Sequence, residues 1–510
     1  MIKVAGAQTP TVVEPQHHAA AAEPTSRDTA AAFRQDRTAL RYRHRRIRRW
    51  NAIARLSDRW RTWGVYYHRR LHAVYRFLIP PGQRVLELGC GRGDLLAALE
   101  PEVGVGVDFA RETVTRAKSC HPELRFVHAD VHELELDEKF DYIILSDLLN
   151  DVWDVQTVLE RLKPLCTPRT RVIINFHSRL WEMPLATTEY FRLAKPTLRQ
   201  NWLTVPDMRN LLQLTGFDVL RTWQEVLFPL PVPLVDSFFN RFLVKTWPFC
   251  KLGLASFLIA RPEPNPAELP PEPRVSVVVA ARNEEGNVPQ IFARVPELAG
   301  GTELIFVEGG STDDTYGAIE RAIAAEPDRD CKLFRQPGKG KGDAVRVGFA
   351  QATGDIVLIL DADLTVAPED LPLFVDALRG GRGEFINGVR LVYPMEQRAM
   401  RFFNLLGNKF FSAAFTYVLG QPVKDTLCGT KVMWRRDYEA IAANRAYFGD
   451  FDPFGDFDLL FGAAKLNLRI VDLPIRYRER TYGDTNISRW KHGWILLRMV
   501  TFAATRIKFV

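Results

Sequence analysis

Two carboxylates, Asp361 and Asp363 of "GDIVLILDADLTVAPEDL", stand one residue apart at the end of an apolar run, Ile356 to Leu360. The run reads as a buried strand, along which the two acids are expected to point in opposite directions, so that both face one ligand only if the strand breaks into a turn between them. A divalent cation held there would bridge carboxylate and diphosphate. The same half carries "RVSVVVAARNEEGN" and, thirty residues on, "TELIFVEGGSTDDT". Each is a β-branched run meeting a polar turn, which predicts a buried parallel strand followed by a helix start with Ser311 or Thr312 as its cap.

A second constellation lies far upstream. "QRVLELGCGRGDLLAAL" places a short strand, Val85 to Leu88, before Gly89, Gly91 and Gly93 and a helical pattern. Glycines at alternate positions permit a tight turn and let a ligand approach the backbone. "VGVGVD" then supplies a strand ending in Asp108, placed to accept two ribose hydroxyls. "LRFVHAD" ends in Asp130, and "FDYIILSD" ends in Ser146 and Asp147. Strands alternating with helices, each ending in a polar residue, predict an α/β fold that binds its ligand at the carboxyl edge of a parallel sheet.

The elements that position these groups divide into two. A chain of 510 residues exceeds what one hydrophobic core usually serves, and 46% hydrophobic with 25% charged residues is ordinary globular usage. "RPEPNPAELPPEPR" has six prolines in fourteen residues and reads as a semi-rigid spacer. We therefore expect a disordered leader over 1–34, a first domain over 35–261, a linker over 262–273 and a second domain over 274–510. The start lacks a basic head followed by an apolar core, so no signal peptide is expected. No window reaches the length and apolarity of a spanning helix. The six cysteines are scattered without metal-like spacing, which points to reduced thiols in a cytosolic setting. Net charge is +7, and "RYRHRRIRRW" packs six arginines into ten residues. A solvated face, an anionic membrane surface or RNA would each accommodate that stretch.

The first constellation to resemble a known family is the glycine motif. With Glu87 before it, "ELGCGRG" has the acidic form of the class I S-adenosylmethionine-dependent methyltransferases, whereas nicotinamide enzymes more often show glycine first. The resemblance covers about 65–260 and includes a closing strand pair, "GFDVLRTWQEVLF" and "GLASFLIARP", around an unusually apolar insertion. It implies S-adenosylmethionine as cofactor, with Glu87, Gly89, Gly91, Gly93, Asp108, Asp130 and Ser146 around it. Asp108 would hold the ribose and Asp130 would lie near the adenine amino group. Asp130 also reads as a helix cap. Methyl transfer is an in-line displacement that demands alignment. His177, Asp147 and the "YYHRR" run at 66–70 are candidate bases with structural readings beside them, and the acceptor is not identified.

The half from about 274 to 505 resembles the family 2 nucleotide-sugar glycosyltransferases, near the dolichyl-phosphate mannosyltransferases and bacterial polyprenyl-phosphate glycosyltransferases. Its ordered set is "ARNEEGN", "VEGGSTDDT", "GKGKGDAVRVGFAQATGDIVLILDADL", "KDTLCGTKVMWRR" and "LPIRYRERTYGDTNIS". The resemblance implies a GT-A domain, so the whole reads as two Rossmann-like α/β domains. Ala280, Arg282, Glu284, Glu308, Asp361, Ala362, Asp363 and Arg390 would bind the donor. Asp361 and Asp363, with Thr365, would hold Mg2+ or Mn2+. Arg390, Arg478 and Arg480 would meet phosphates, where a planar guanidinium suits bidentate pairing. Gly309 stands where the family has an acid, and Ala280 and Arg282 where it has Pro and Tyr, so donor base and sugar stay open.

A polyprenyl phosphate acceptor is already ionised, so cations that hold two anions together matter more than a base. Asp425, Asp456 and Asp458 are candidate bases for a hydroxyl acceptor. "RFFNLLGNKFFSAAFTYVL" places Phe402, Leu405, Leu406, Lys409 and Phe410 at helical spacing, and the last segment mixes Trp490, Trp494 and Leu497 with Lys491, Arg498, Arg506 and Lys508. Basic amphipathic helices of this kind lie in a headgroup layer, and core packing explains the same spacing. The expectation is a bifunctional enzyme, cytoplasmic and peripheral at the cytoplasmic membrane face, with no nucleic acid partner. The alternative is a glycosyltransferase with a non-lipid hydroxyl acceptor whose first domain is a non-catalytic cofactor-binding or RNA-binding module.

Overall fold

A computed structural model describes residues 37–55, 61–191, 198–265, 272–298, 300–390, 402–449, 455–476, 478, 482 and 489–510. The expected leader, the middle of the spacer and Arg480 lie outside the described residues.

Two seven-stranded sheets organise the chain. The first comprises β1 (Arg84–Leu88), β2 (Val103–Asp108), β3 (Arg125–His128), β4 (Phe140–Ser146), β5 (Cys166–His177), β6 (Phe217–Glu225) and β7 (Ala255–Pro262), in the order β3-β2-β1-β4-β5-β7-β6. Only β7 runs against its neighbours, pairing antiparallel with both β5 and β6. Leu86, Leu88, Ile143, Ile144 and Ile173 are buried, the near-continuous apolar pattern of strands covered on both faces. Order reverses between β1 and β4, whose carboxyl ends Leu88 and Ser146 flank the place where such sheets bind ligands.

The second sheet comprises β8 (Val275–Ala281), β9 (Thr302–Glu308), β10 (Cys331–Arg335), β11 (Ile356–Ile359), β12 (Phe385–Val389), β13 (Lys431–Trp434) and β14 (Ile470–Pro474), in the order β10-β9-β8-β11-β13-β12-β14. Here β13 is the antiparallel member, between β11 and β12. The helix after β9, Thr315–Ala325, starts from Asp314, not from Ser311 or Thr312. Those two residues instead fix the preceding turn: Ser311 donates its N–H to Glu308, and the Thr312 N–H reaches Asn283 Oδ1 at 2.8 Å. Turn formation therefore won over capping.

The spacer is not the only connection between the sheets. Arg171 on β5 is buried and donates from Nη2 to both carboxylate oxygens of Glu384, at 2.8 and 2.7 Å, and from Nε to Asn467 O at 2.9 Å. Arg261 reaches Gly381 O at 2.9 Å, and Arg169 pairs with Asp437 at 2.7 Å. Burial raises Glu384, but the Arg171 and Arg261 guanidiniums outweigh it and hold the carboxyl below its ordinary range. The two halves thus meet through a polar, desolvated contact.

Candidate active sites

In the first domain the chain turns from β1 into the helix Asp94–Ala98 through Gly89, Gly91 and Gly93, at φ of 72°, 54° and 78°. At Gly93 a Cβ would come within 2.5 Å of the Phe126 ring, so both conformation and space require glycine. Asp108 ends β2 and ties this turn down, accepting from Gly91 N at 3.2 Å and Ala110 N at 2.8 Å. Burial nevertheless pushes its carboxyl up to about 6. Glu87 is buried and held well above the carboxylate range by desolvation, and its Oε2 has no hydrogen-bond partner among the described residues.

These groups line a cavity of about 870 Å³ that also takes in Asp130, Ser146 and Asp147. Every cofactor residue expected from the sequence except Gly93 lies on its wall, and Gly93 shapes the turn beneath it. Asp130 acts as the cap that its sequence position suggested, and it also faces the cavity. It caps the short turn Val131–Glu133, accepting from His132 N at 3.0 Å while Arg43 meets its other oxygen at 2.8 Å.

The arginine-rich stretch lies on the helix Arg37–Arg55, which covers this cavity. Arg46 is buried, pairs with Asp151 at 2.7 Å and donates to Arg199 O at 2.6 Å; Trp50 Nε1 reaches the other Asp151 oxygen at 2.7 Å. Arg41, Arg45 and Arg48 face solvent. Spacing alone gave no signal that one side of this helix closes a site. The three base candidates also converge: Asp147 Oδ1 accepts from Tyr67 at 2.9 Å and Asn175 at 2.7 Å, with His177 Nε2 at 3.7 Å.

In the second domain β11 ends at Ile359, and a turn follows. Residues two apart share a face of a strand, so the break is not needed to align Asp361 with Asp363. It carries both acids beyond the sheet edge, with Leu364 left-handed at φ 56° and its N–H on Asp361 O at 3.2 Å. Thr365 donates to Asp363 Oδ1 from its hydroxyl at 2.8 Å and its amide at 3.1 Å, so it orients that carboxylate. Arg478 N–H bonds Thr365 O at 3.0 Å, which brings the last arginine motif to the same turn.

Lys341 was not singled out from the sequence. It opens the helix Lys341–Gln351 and meets Asp361 Oδ1 at 2.6 Å. Burial raises Asp361, but the Lys341 charge dominates and holds it below its ordinary range. Gly429 leaves room for this pair: a Cβ there would lie 2.2 Å from Asp361 Oδ2 and from Lys341 Nζ, so both side-chain ends would have to shift. A lysine framed by glycines in "GKGKGD" was the available signal. Arg390 forms a bidentate pair with Asp425 at 2.7 and 2.9 Å, and Asp458 pairs with Arg445 at 2.7 Å. Asp456 lies 3.4 Å from the buried Lys431.

Glu284 and Glu308, expected to contact the donor, are both buried beside the β8 and β9 turns. Asn287 donates to Glu284 at 2.6 Å, and Ser311 N–H holds Glu308. Ala280 is half-buried, Arg282 is exposed, and Ala362 is buried within the acid turn.

Residues 42–222 match the family model "Methyltransferase domain", and residues 276–441 match "Glycosyl transferase family 2". The chain joins a methyltransferase domain to a family 2 glycosyltransferase domain. The glycosyltransferase half is 28% identical over 238 residues to an undecaprenyl-phosphate 4-deoxy-4-formamido-L-arabinose transferase of Proteus mirabilis, covering 46% of this chain and 68% of that one. It is also 28% identical over 230 residues to a polyprenol monophosphomannose synthase of Mycolicibacterium smegmatis, covering 44% and 84%. A solved glucosyl-3-phosphoglycerate synthase of Mycobacterium tuberculosis overlays 46% of the chain and 80% of its own, at 20% identity and a TM-score of 0.35. Among the described residues no helix is long and apolar enough to cross a membrane.

Proposed function

We propose that the glycosyltransferase domain moves a sugar, with inversion, from a nucleotide diphosphate sugar to a polyprenyl phosphate, aided by Mg2+ or Mn2+. The carrying observation is the acid turn, where Asp361 and Asp363 project past β11 beside Lys341 and Arg478. Among the described residues no group of three or more His, Cys, Asp or Glu could hold a metal ion by itself. A hard cation that uses one or two carboxylates and takes its remaining oxygens from the donor diphosphate fits that set. When bound it would offset charge on the departing diphosphate. Lys341 keeps Asp361 ionised, and Arg478 is tied to the turn where that charge develops. The candidate bases Asp425 and Asp458 are already committed to Arg390 and Arg445, and Asp456 faces the Lys431 ammonium at 3.4 Å. This suits an acceptor that needs no deprotonation, and the names of both relatives support a polyprenyl acceptor by similarity.

In the methyltransferase domain, the glycine turn, the orphaned Glu87 oxygen and the Asp108 carboxylate fit a cofactor with amine and ribose hydroxyl donors, as S-adenosylmethionine has. The cofactor supplies the methyl group; the protein's task is to align the acceptor beside Asp147. The joint reading is tested by incubating the purified chain with labelled uridine and guanosine diphosphate sugars and short polyprenyl phosphate. Label in the organic phase supports it and names the donor base. Donor hydrolysis without lipid labelling rejects the polyprenyl acceptor. Absence of any S-adenosylmethionine binding by calorimetry rejects the cofactor assignment.

A further inference from the structure

The segment between β6 and β7, residues 226–254, exposes large apolar side chains that a domain surface ordinarily hides. Leu234 is 86% exposed, Trp247 78% and Phe238 55%. The neighbouring helix Glu182–Tyr190 exposes Met183 at 77% and Tyr190 at 83%, and Trp494 in the helix Arg489–Ala503 is 69% exposed. Isolated exposed apolar residues need no explanation, but a contiguous set does.

Contacts join these elements across the domain boundary. Trp181 Nε1 donates to Leu252 O at 2.8 Å, linking the helix Glu182–Tyr190 to the segment. The Phe242 and Phe509 rings lie 5.5 Å apart, and Tyr417 donates to Lys245 O at 2.6 Å, linking the segment to the chain's last turn and to the helix Phe402–Leu419. Charge is predominantly basic: 226–254, 402–419 and 489–510 contain one acid, Asp236, to which the helix Glu182–Tyr190 adds Glu182 and Glu189. Their exposed cations include Arg241, Lys251, Lys409, Arg498 and Arg506.

We propose that this face is a docking surface for an anionic phospholipid bilayer, with the methyltransferase domain's β6–β7 segment as its principal wedge. Apolar side chains with two exposed tryptophans, edged by arginine and lysine, match an interface in which acyl chains take the apolar groups and anionic headgroups take the cations. The anchor of a lipid-modifying glycosyltransferase is then supplied largely by its fused partner, which gives the fusion a mechanical reason. The inference extends the lipid-acceptor reading and rests on it for its biological sense.

The test is co-sedimentation of the full chain with vesicles of 30% phosphatidylglycerol in phosphatidylcholine, against pure phosphatidylcholine. The wild type should pellet with the anionic vesicles, less so in high salt, and Leu234→Asp/Trp247→Asp should weaken binding at least tenfold. Met183→Asp/Tyr190→Asp, on a different element, should weaken it as well. Unchanged S-adenosylmethionine binding reports that the variants are folded. No vesicle binding by the wild type, or equal binding by both variants, overturns the proposal. So does concentration-dependent self-association that the variants abolish in the absence of vesicles. Sugar transfer to a detergent-dispersed short polyprenyl phosphate is measured in parallel. Its failure alongside intact vesicle binding counts against the acceptor and not the surface; normal transfer by a wild type that ignores vesicles does the reverse.

Discussion

Arg171→Met removes the centre of the contact between the two domains. The side chain makes two charge-assisted bonds to Glu384 and one to Asn467 O, all at 2.9 Å or less and away from solvent. Deleting one partner of a buried ion pair costs about 3–5 kcal/mol, mostly because the other charge stays buried. Arg261 lies 3.6 Å from Glu384 Oε2 and softens that penalty, so the expected loss is about 2–4 kcal/mol. Adding Glu384→Gln removes the stranded charge while keeping an acceptor for the Arg469 N–H, now at 2.8 Å, and should recover at least half of the loss. Urea unfolding of the full chain, followed by fluorescence and by proteolysis at the spacer, reads both effects. The pH dependence has a definite sign. Because the folded Glu384 lies below its ordinary 4.5, its contribution is present above that pH and fades as pH falls through the folded value. The Met/Gln pair should lack this acid-side loss. A cost for Arg171→Met below about 0.5 kcal/mol, with no recovery in the double variant, would refute the reasoning.

Asp108, raised to about 6, should make S-adenosylmethionine bind more tightly as pH rises from about 5 to about 7, since the ionised carboxylate is the better ribose acceptor; calorimetry on Asp108→Asn should show that dependence gone. The same shift means that ionising Asp108 costs the empty domain stability as pH rises from 3.8, where the unfolded carboxyl ionises, to about 6. Gly429→Ala should force Asp361 and Lys341 apart and lower sugar transfer about 100-fold, with circular dichroism unchanged. Gly93→Ala, strained by its left-handed backbone and by the Phe126 ring, should cost about 1–3 kcal/mol in thermal unfolding and weaken cofactor binding with it.

Much of this architecture was legible because parallel strands buried on both faces leave uninterrupted apolar runs. Ile356–Ile359 announces itself that way, Val85–Leu88 does so around the single acid Glu87, and the polar residues at strand ends mark the binding edge. Glycine is equally legible where φ is positive, as at Gly89, Gly91 and Gly93. Gly429 was not, because its role is to leave room for a side chain about seventy residues away in sequence. Lys341 was only half legible for a related reason: its glycine frame marks a special turn, but its partner Asp361 is supplied by the fold. The arginine-rich helix was legible as helix and as charge, but which arginines turn inward depends on Asp130 and Asp151, acids whose approach no local pattern encodes. Contact between the domains was the least legible feature. Arg171 lies in "CTPRTRVIINFH", and nothing in that local pattern encodes Glu384, more than two hundred residues away.

The central claim is that the acid turn carries sugar transfer, and Asp363→Asn tests it most directly. The change keeps shape and the bonds from Thr365 while removing a charge from the proposed cation site. Purified wild type and variant would be given labelled nucleotide sugar, short polyprenyl phosphate and Mg2+ or Mn2+, with and without chelator. The account predicts lipid label that requires the metal, falls at least about 100-fold in the variant, and leaves S-adenosylmethionine binding unaltered. Label that persists in Asp363→Asn, or that ignores the chelator, would contradict it.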